Sequence, residues 1–210
     1  SVDRVIEDLR VKYGLGLPWY QQYFKWISGI ITNFDFGESF AQNRPVKDII
    51  LKRMPFTILI TFVTLIFSWI VAIPIGVYSA VKQHTIFDYF FTFIAFIGRS
   101  TPNFLLAIIL LFIFYSNFGW SLGGLFSEQY MLAPWSWGKI VDLAKHLILP
   151  IIVVGTAGTA GMVRVLRGMM LDELNKEYVQ TARAKGLKES IVIWKHIFKI
   201  AILPIISTIE

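Results

Sequence analysis

Long uncharged stretches dominate the pattern of hydrophobic and polar positions along the chain. Residues 54–81 are 28 residues without a charge, more than the roughly 20 that a helix needs to cross a bilayer. Residues 86–115 are again mostly apolar, and a third stretch, 146–171, is uncharged from 147 to 163. The pattern predicts membrane-spanning helices over about 54–81, 86–115 and 146–171, and the start of another near residue 200.

The second stretch contains a break. Residues 98–103 read "GRSTPN", and a proline removes a helical hydrogen bond. Residues 86–115 as one helix would be about 45 Å long, more than the hydrocarbon core. We therefore expect a helix that tilts and kinks, or one that is discontinuous at Pro102.

Arg99 is a charge deep within this span. An intramembrane arginine faces the bundle interior or water, because lipid solvates it poorly. One interpretation is a translocation path at the helix break, lined by Arg99, Ser100, Thr101 and Asn103. The alternative is that Arg99 pairs with an acidic residue on another helix or snorkels to an interface.

The composition supports an integral membrane protein. Of the 210 residues, 55% are hydrophobic and only 16% are charged, against about a quarter charged in soluble domains. The net charge of +6 comes without the basic and aromatic face that nucleic-acid binding requires, so no nucleic-acid partner is expected. With no cysteine and three histidines, no metal site is expected either. The fold class is an all-α polytopic transmembrane helix bundle with a small external helical segment.

Charge predicts the orientation of the spans. Residues 164–199 carry eight Lys/Arg against four Asp/Glu, whereas residues 116–145 carry two of each. The former segment is predicted to be cytoplasmic and the latter external. Counting back through the spans places residues 1–53 outside as an amphipathic segment on the membrane, followed by the transmembrane domain 54–210.

A short helix is predicted between two apolar segments, over about 176–186. Asn175 can cap its start, and Gly186 fits the left-handed position that ends helices, followed by apolar Leu187. Ala182 and Gly186 are read as a small-residue stripe on one face, ringed by charge. Such a face suits docking into a groove of a partner.

Motifs for catalysis do not occur in the sequence. There is no G-x-x-x-x-G-K-[ST] phosphate loop, no H-E-x-x-H and no G-x-S-x-G. We therefore expect no enzyme active site and no cofactor in this chain.

The segment "YVQTARAKGL" followed by "KHIFKIAILP" resembles the signature loop of permease subunits of ATP-binding-cassette importers. Thr181, Ala182 and Gly186 match the motif, and Gln180 stands where the family often has Glu. Pro204 follows Gly186 at the longer spacing of the dipeptide, oligopeptide and nickel branch. "RPVKDIILKRMPFTILI" and "STPNFLLAIIL" are similar to spans of that branch, although Arg99 departs from the small or apolar residue expected there.

The resemblance implies a type I importer permease in the cytoplasmic (inner) membrane of a prokaryote. It implies one further span before this chain and two after it, so that the chain is expected to be a fragment. On this resemblance, the short helix would be the coupling helix gripped by an ATPase subunit, and the coupling residues would be Glu177, Gln180, Thr181, Ala182, Arg183, Lys185, Gly186 and Leu187.

The same resemblance implies the partners and the mechanism. A second, similar permease, two cytoplasmic ATP-binding subunits, an external solute-binding protein and membrane lipid would surround the chain. Alternating access would then import peptides, or else oligosaccharides or nickel complexes. The alternatives are a gradient-driven secondary transporter or channel, which usually shows intramembrane acidic or histidine residues, and an interaction scaffold.

Overall fold

A computed structural model of the protein describes residues 4, 6, 7, 10, 11 and 14–207, and of Arg99 the backbone alone. The remaining positions of the predicted external segment, and residues 208–210, lie outside the described residues. The chain divides into two compact units, Ser1–Leu59 and Ile60–Glu210.

Helices account for nearly all the regular structure. In chain order the elements are α1 (Trp19–Asn33), β1 (Glu38–Ser39), β2 (Arg44–Pro45), α2 (Val46–Val81), α3 (Ile86–Ser100), α4 (Asn103–Phe118), α5 (Glu128–Met131), α6 (Trp137–Leu174), α7 (Glu177–Ala184), α8 (Glu189–Ile191), a π-helical segment (Val192–Ile197), α9 (Phe198–Ala201) and α10 (Leu203–Ser207).

The first unit contains the predicted amphipathic helix. In α1, aromatic side chains such as Trp19, Phe24 and Trp26 are exposed. The strands β1 and β2 form a two-stranded antiparallel hairpin in which Glu38 pairs with Pro45. The Asp35 carboxylate accepts a hydrogen bond from the Gly37 N–H at 2.9 Å and shapes the turn that leads into this hairpin.

Three helices among the described residues, Val46–Val81, Trp137–Leu174 and Glu189–Ser207, are long and apolar enough to cross a membrane. Ile86–Gly98 and Asn103–Phe118 form a bent pair, which makes a fourth span if the two are counted as one. The chain is therefore a multi-pass, all-α membrane protein, as expected.

Three helices begin earlier than the spans predicted within them. The helix α2 begins at Val46, so Pro55 lies in its interior, where one proline removes a single bond of the helical ladder. The helix α6 begins at Trp137 rather than near 146, capped by the Ser136 hydroxyl that accepts a hydrogen bond from the Lys139 N–H. The last helical segment begins at Glu189, well before residue 200. In each case a helix continues beyond its apolar run.

Of the two alternatives for residues 86–115, the structure has the discontinuity at Pro102. The helix α3 ends at Ser100, the next helix begins at Asn103, and the chain bends by 103° at the break. Thr85 caps the start of α3 by accepting a hydrogen bond from the Asp88 N–H at 3.3 Å. The helix α3 is therefore separate from α4, with a capped start and an end just before Pro102.

Among its described residues, the second unit has two hydrophobic clusters. The larger joins the end of α2, the last third of α6, α7 and the last helical segment, and its buried members are Val77, Ala80, Leu166, Met170, Val179, Ala182, Val192, Ile197, Ala201 and Ile205. The smaller lies between α4, the following loop and α6, and its buried members are Leu122, Leu149 and Val153. The short helix α7 thus belongs to the main core.

Candidate functional site

The start of α7 differs from the prediction. Asn175 does not cap it: Asn175 ends α6, and its side-chain amide donates to the Leu171 carbonyl at 3.3 Å. The N-cap is Lys176, whose carbonyl accepts from the Val179 N–H at 3.0 Å. Because α6 continues to Leu174, Asn175 is used to finish that helix.

The predicted end of α7 is confirmed. Gly186 has φ +74°, the left-handed conformation that favours glycine. Its N–H donates to the Arg183 carbonyl at 2.9 Å, and the Leu187 N–H donates to the Ala182 carbonyl at 3.3 Å. These two bonds form the Schellman motif, which satisfies the last carbonyls of a helix and sets the direction of the chain after it.

The inner face of α7 is anchored in the main core. Val179 is fully buried and Ala182 nearly so, and both pack in the cluster that contains Leu166 and Met170 of α6. The predicted stripe of Ala182 with Gly186 on one docking face is therefore wrong. The left-handed turn ends the helix before Gly186, which is exposed while Ala182 points inward.

Two side-chain links fix α7 to its neighbours along the chain. The Tyr178 hydroxyl donates a hydrogen bond of 2.7 Å to the carboxylate of Glu173, which lies at the end of α6. Burial, together with this bond, raises the pKa of Tyr178 to about 12. The Arg183 guanidinium makes a bidentate pair with Glu189, at 3.2 and 2.6 Å, and the hydrogen bond raises the pKa of Arg183.

The outer face of α7 and its exit turn are exposed. The Thr181 hydroxyl donates to the Glu177 carbonyl at 2.9 Å within the helix. The predicted coupling residues on this surface, which we call the outer face, are Glu177, Gln180, Thr181, Arg183, Lys185, Gly186 and Leu187. The structure thus presents a small polar surface on a rigid apolar support.

The predicted path residues gather at the break between α3 and α4. Ser100 and Asn103 are exposed on either side of it. Thr101 ends α3, since both its N–H and its hydroxyl donate to the Ile97 carbonyl, each at 2.9 Å. The side chain of Arg99 lies outside what the structure describes. The lining of a path by these residues stays a prediction.

A buried ion pair was not predicted from the sequence. Asp88, at the start of α3, is 2% exposed. Its carboxylate oxygens accept hydrogen bonds from Arg167 of α6, from Nε at 3.2 Å and from Nη2 at 3.1 Å, and a third from the His84 N–H at 3.1 Å. The available signal was one acidic and one basic residue near the ends of two apolar stretches.

A second polar cluster lies at the opposite end of α6. Asp142 accepts hydrogen bonds from the Ser127 N–H at 2.8 Å and from the Ser127 hydroxyl at 2.5 Å. His146 Nδ1 lies 2.8 Å from the Asp142 carbonyl oxygen. Lys139 donates to the Ala133 carbonyl at 2.6 Å. This cluster fastens the loop 119–136 to the start of α6.

Comparison with known proteins gives a family for this arrangement. Residues 72–209 match the family described as "Binding-protein-dependent transport system inner membrane component". The match covers α3 to α10 and the last part of α2, and therefore includes the break, the ion pair and α7.

Curated relatives match almost the whole chain. The oligopeptide transport system permease protein AppB of Bacillus subtilis is 41% identical over 93% of this chain and 60% of its own length. The peptidoglycan transport system permease protein YejB of Agrobacterium fabrum is 35% identical over 97% of this chain and 56% of its own length. The dipeptide transport system permease protein DppB of Alkalihalophilus pseudofirmus is 33% identical over 98% of this chain and 66% of its own length. The chain thus spans about three fifths of the length of these relatives.

Proposed function

The chain belongs to the family of binding-protein-dependent transport system inner membrane components, and from this premise we propose that it forms part of the permease of an ATP-driven peptide importer. Relatives named for oligopeptide and dipeptide transport support peptides as the substrate class. The family favours this function over a gradient-driven transporter or channel.

The observation that carries the proposal is the construction of α7. A helix of eight residues is too short to be stable alone, yet here it is fixed by buried Val179 and Ala182 and ended by the left-handed turn at Gly186. A force applied to its outer face therefore reaches α6 through packed side chains. That is what a coupling helix requires.

The proposal assigns the energy source to partner proteins. Two cytoplasmic ATP-binding subunits bind the outer face of α7 and its counterpart on a second permease, and an external solute-binding protein delivers the peptide. ATP hydrolysis takes place in those subunits, and the chain itself performs no catalysis. Ala182 has an anchoring role, whereas Gln180, Lys185 and Gly186 make the contact with the ATPase.

Alternating access follows from this arrangement. When the ATP-binding subunits close, they draw the two coupling helices together, and the spans packed on α7 tilt with them. The residues at the break between α3 and α4, Ser100, Thr101 and Asn103 with Arg99, are proposed to line the path that opens.

Cysteine crosslinking tests the proposed contact, since the chain has no native cysteine. The variant Lys185→Cys carries a thiol in the exposed exit turn of α7, and Gln129→Cys carries one in the exposed part of the loop 119–136. With a short crosslinker in native membranes, we expect Lys185→Cys to capture a protein with ATP-binding motifs and Gln129→Cys to capture none. A Lys185→Cys thiol that is labelled freely and captures no ATPase contradicts the proposal.

Substitutions at Gly186 distinguish a backbone role from a contact role. No atom lies within 4 Å of a Cβ built there, so a substitution strains the backbone without a clash inside the chain. Asn tolerates the left-handed conformation and Val does not. We expect Gly186→Val to lower peptide import per ATP hydrolysed by roughly fivefold or more while the protein still folds.

Gly186→Asn then identifies the cause. Import like that of the wild type in Gly186→Asn assigns the effect to the turn. Loss in both variants indicates that an ATPase surface packs directly on Gly186. Unchanged import per ATP in Gly186→Val counts against a coupling role for this turn.

A further inference from the structure

We propose that α3 is latched to α6 by the Asp88–Arg167 ion pair and so carries movement of the coupling helix to the break at residues 101–102. The inference rests on the proposed function, which it deepens by naming the route from α7 to the path. Asp88 and Arg167 are positioning residues in this scheme, because they act through helices and touch no substrate.

The carboxylate of Asp88 is held from two sides. Both of its oxygens accept from the Arg167 guanidinium, and the His84 N–H, in the turn between α2 and α3, donates to Oδ2. The Asp88 side chain is 3% exposed and that of Arg167 is 31% exposed. A bidentate pair of this kind fixes the orientation of the two side chains as well as their distance. The start of α3 therefore moves with Arg167.

A second contact fixes the other end of α3. A Cβ at Gly98 would lie 2.7 Å from Cγ2 of Thr156, so α3 approaches α6 at Gly98 more closely than a larger residue allows. Asp88 and Gly98 are ten residues apart, about 15 Å along a helix. Two contacts separated by that distance prevent α3 from pivoting about either one.

The helix α6 connects this latch to α7. Leu166 and Met170, on either side of Arg167 in sequence, are fully buried in the cluster that contains Val179 and Ala182. A displacement of α7 therefore moves the segment of α6 that carries Arg167. The pair passes that displacement to α3, whose far end at Ser100 borders the break.

Loss of the pair is expected to uncouple without unfolding. The variant Asp88→Asn keeps the shape of the side chain and an oxygen for the His84 N–H, but it removes the charge that Arg167 binds. The close contact at Gly98 is then the point about which α3 can turn. We expect α3 to take several orientations relative to α6, and the break to respond weakly to ATP.

The experiment uses the full-length permease with its ATPase subunits in lipid. Spin labels replace Phe93 on α3 and Val154 on α6, both exposed, and the distance between them is measured without nucleotide and in an ATP-trapped state. With Asp88 and Arg167 intact, we expect one narrow distance distribution in both states. Asp88→Asn should broaden it and lower peptide import per ATP by roughly fivefold or more.

Companion variants keep the test decisive. Arg164→Gln removes an exposed arginine one helical turn from Arg167 and should leave both readouts unchanged. Arg167→Lys keeps the charge and should retain part of the coupling, which protects the test if Asp88→Asn folds poorly. The double variant Asp88→Asn with Arg167→Gln should be no worse than either single variant, because residues that act as a pair are not additive.

Two results overturn the inference. One is an unchanged distance distribution with unchanged import per ATP in Asp88→Asn, and the other is additive loss in the double variant. If the permease binds no ATPase at all, the proposed function fails. The nucleotide-free distances of wild type and Asp88→Asn then still decide whether the latch exists.

Discussion

The two ends of α6 hold their neighbours by different means. At the α7 end, residues 77–88 and 163–207, ten buried hydrophobic side chains from several helices form one cluster. At the loop end, residues 106–153, the corresponding cluster has three, and polar and aromatic contacts supply the rest. One end joins several helices in one buried core, and the other packs α4 and the loop that follows it on α6.

A buried aspartate at each end makes the difference concrete. Asp88 pairs with a guanidinium from another membrane span, 79 residues away in sequence. Asp142 is satisfied by the N–H and hydroxyl of Ser127, 15 residues away. Hence the first aspartate joins two long helices, whereas the second closes a local loop.

Aromatic side chains make further contacts at the loop end. Trp120 stacks on Phe114 with ring centroids 5.8 Å apart. The Lys139 ammonium lies 4.9 Å from the ring centroid of Phe126 and 5.4 Å from that of Trp135. Tryptophans beside charged groups are typical of a membrane–water interface. These contacts suit a loop that lies at such an interface.

The largest effect on stability is expected from emptying the main core. Leu166 is 0% exposed and Leu122, at the loop end, is 5% exposed. Burial alone would predict similar costs, but the cost also depends on how well the site collapses. We expect Leu166→Ala to lower the free energy of unfolding in detergent by about 4 kcal/mol and Leu122→Ala by about 2 kcal/mol. Equal losses would remove the distinction in packing between the two ends.

A smaller effect is expected at the loop end from Ser127→Ala. The variant removes the hydroxyl bond to the Asp142 carboxylate and leaves the N–H bond in place. Hydrogen bonds to charged groups contribute about 1.5–3 kcal/mol, so we expect a loss in that range by thermal unfolding. The control is Ser121→Ala, at an exposed position of the same loop. A loss in Ser127→Ala no greater than in this control would mean that the hydroxyl bond contributes nothing to holding the loop.

Local patterns explain what the sequence could predict. The spans could be predicted because long, mostly apolar runs favour a membrane setting. The end of α7 was found because Gly followed by an apolar residue has few conformations at a helix end. The starts of α2 and α6 were missed, since the helical turns that begin at Val46 and Trp137 contain charged residues and extend those helices beyond their apolar runs.

Long-range contacts explain what could not be predicted from the sequence. Nothing near Asp88 in the sequence indicates Arg167 as its partner, because the pairing depends on how α3 lies along α6. The inward position of Ala182 likewise depends on α6, which supplies Leu166 and Met170 to the same cluster. Asn175 was assigned to the wrong helix because α6 is longer than its apolar run.

The smallest effect on stability is expected for the exposed pair of Arg183 with Glu189. Their side chains are 41% and 53% exposed, and exposed pairs contribute about 0–1 kcal/mol and weaken with salt. We therefore expect Arg183→Gln to change the free energy of unfolding by less than about 1 kcal/mol, with the difference from wild type shrinking further in high salt. Thermal unfolding at two salt concentrations measures both effects.

The comparison of the two ends depends on this outcome. If apolar packing holds α7, as buried Val179 and Ala182 indicate, Arg183→Gln must cost far less than Leu166→Ala. A loss as large as that of Leu166→Ala would mean that α7 is held by charge, and its attachment would then weaken with salt. Arg183→Lys separates charge from geometry, since Lys keeps the charge without the planar bidentate fork.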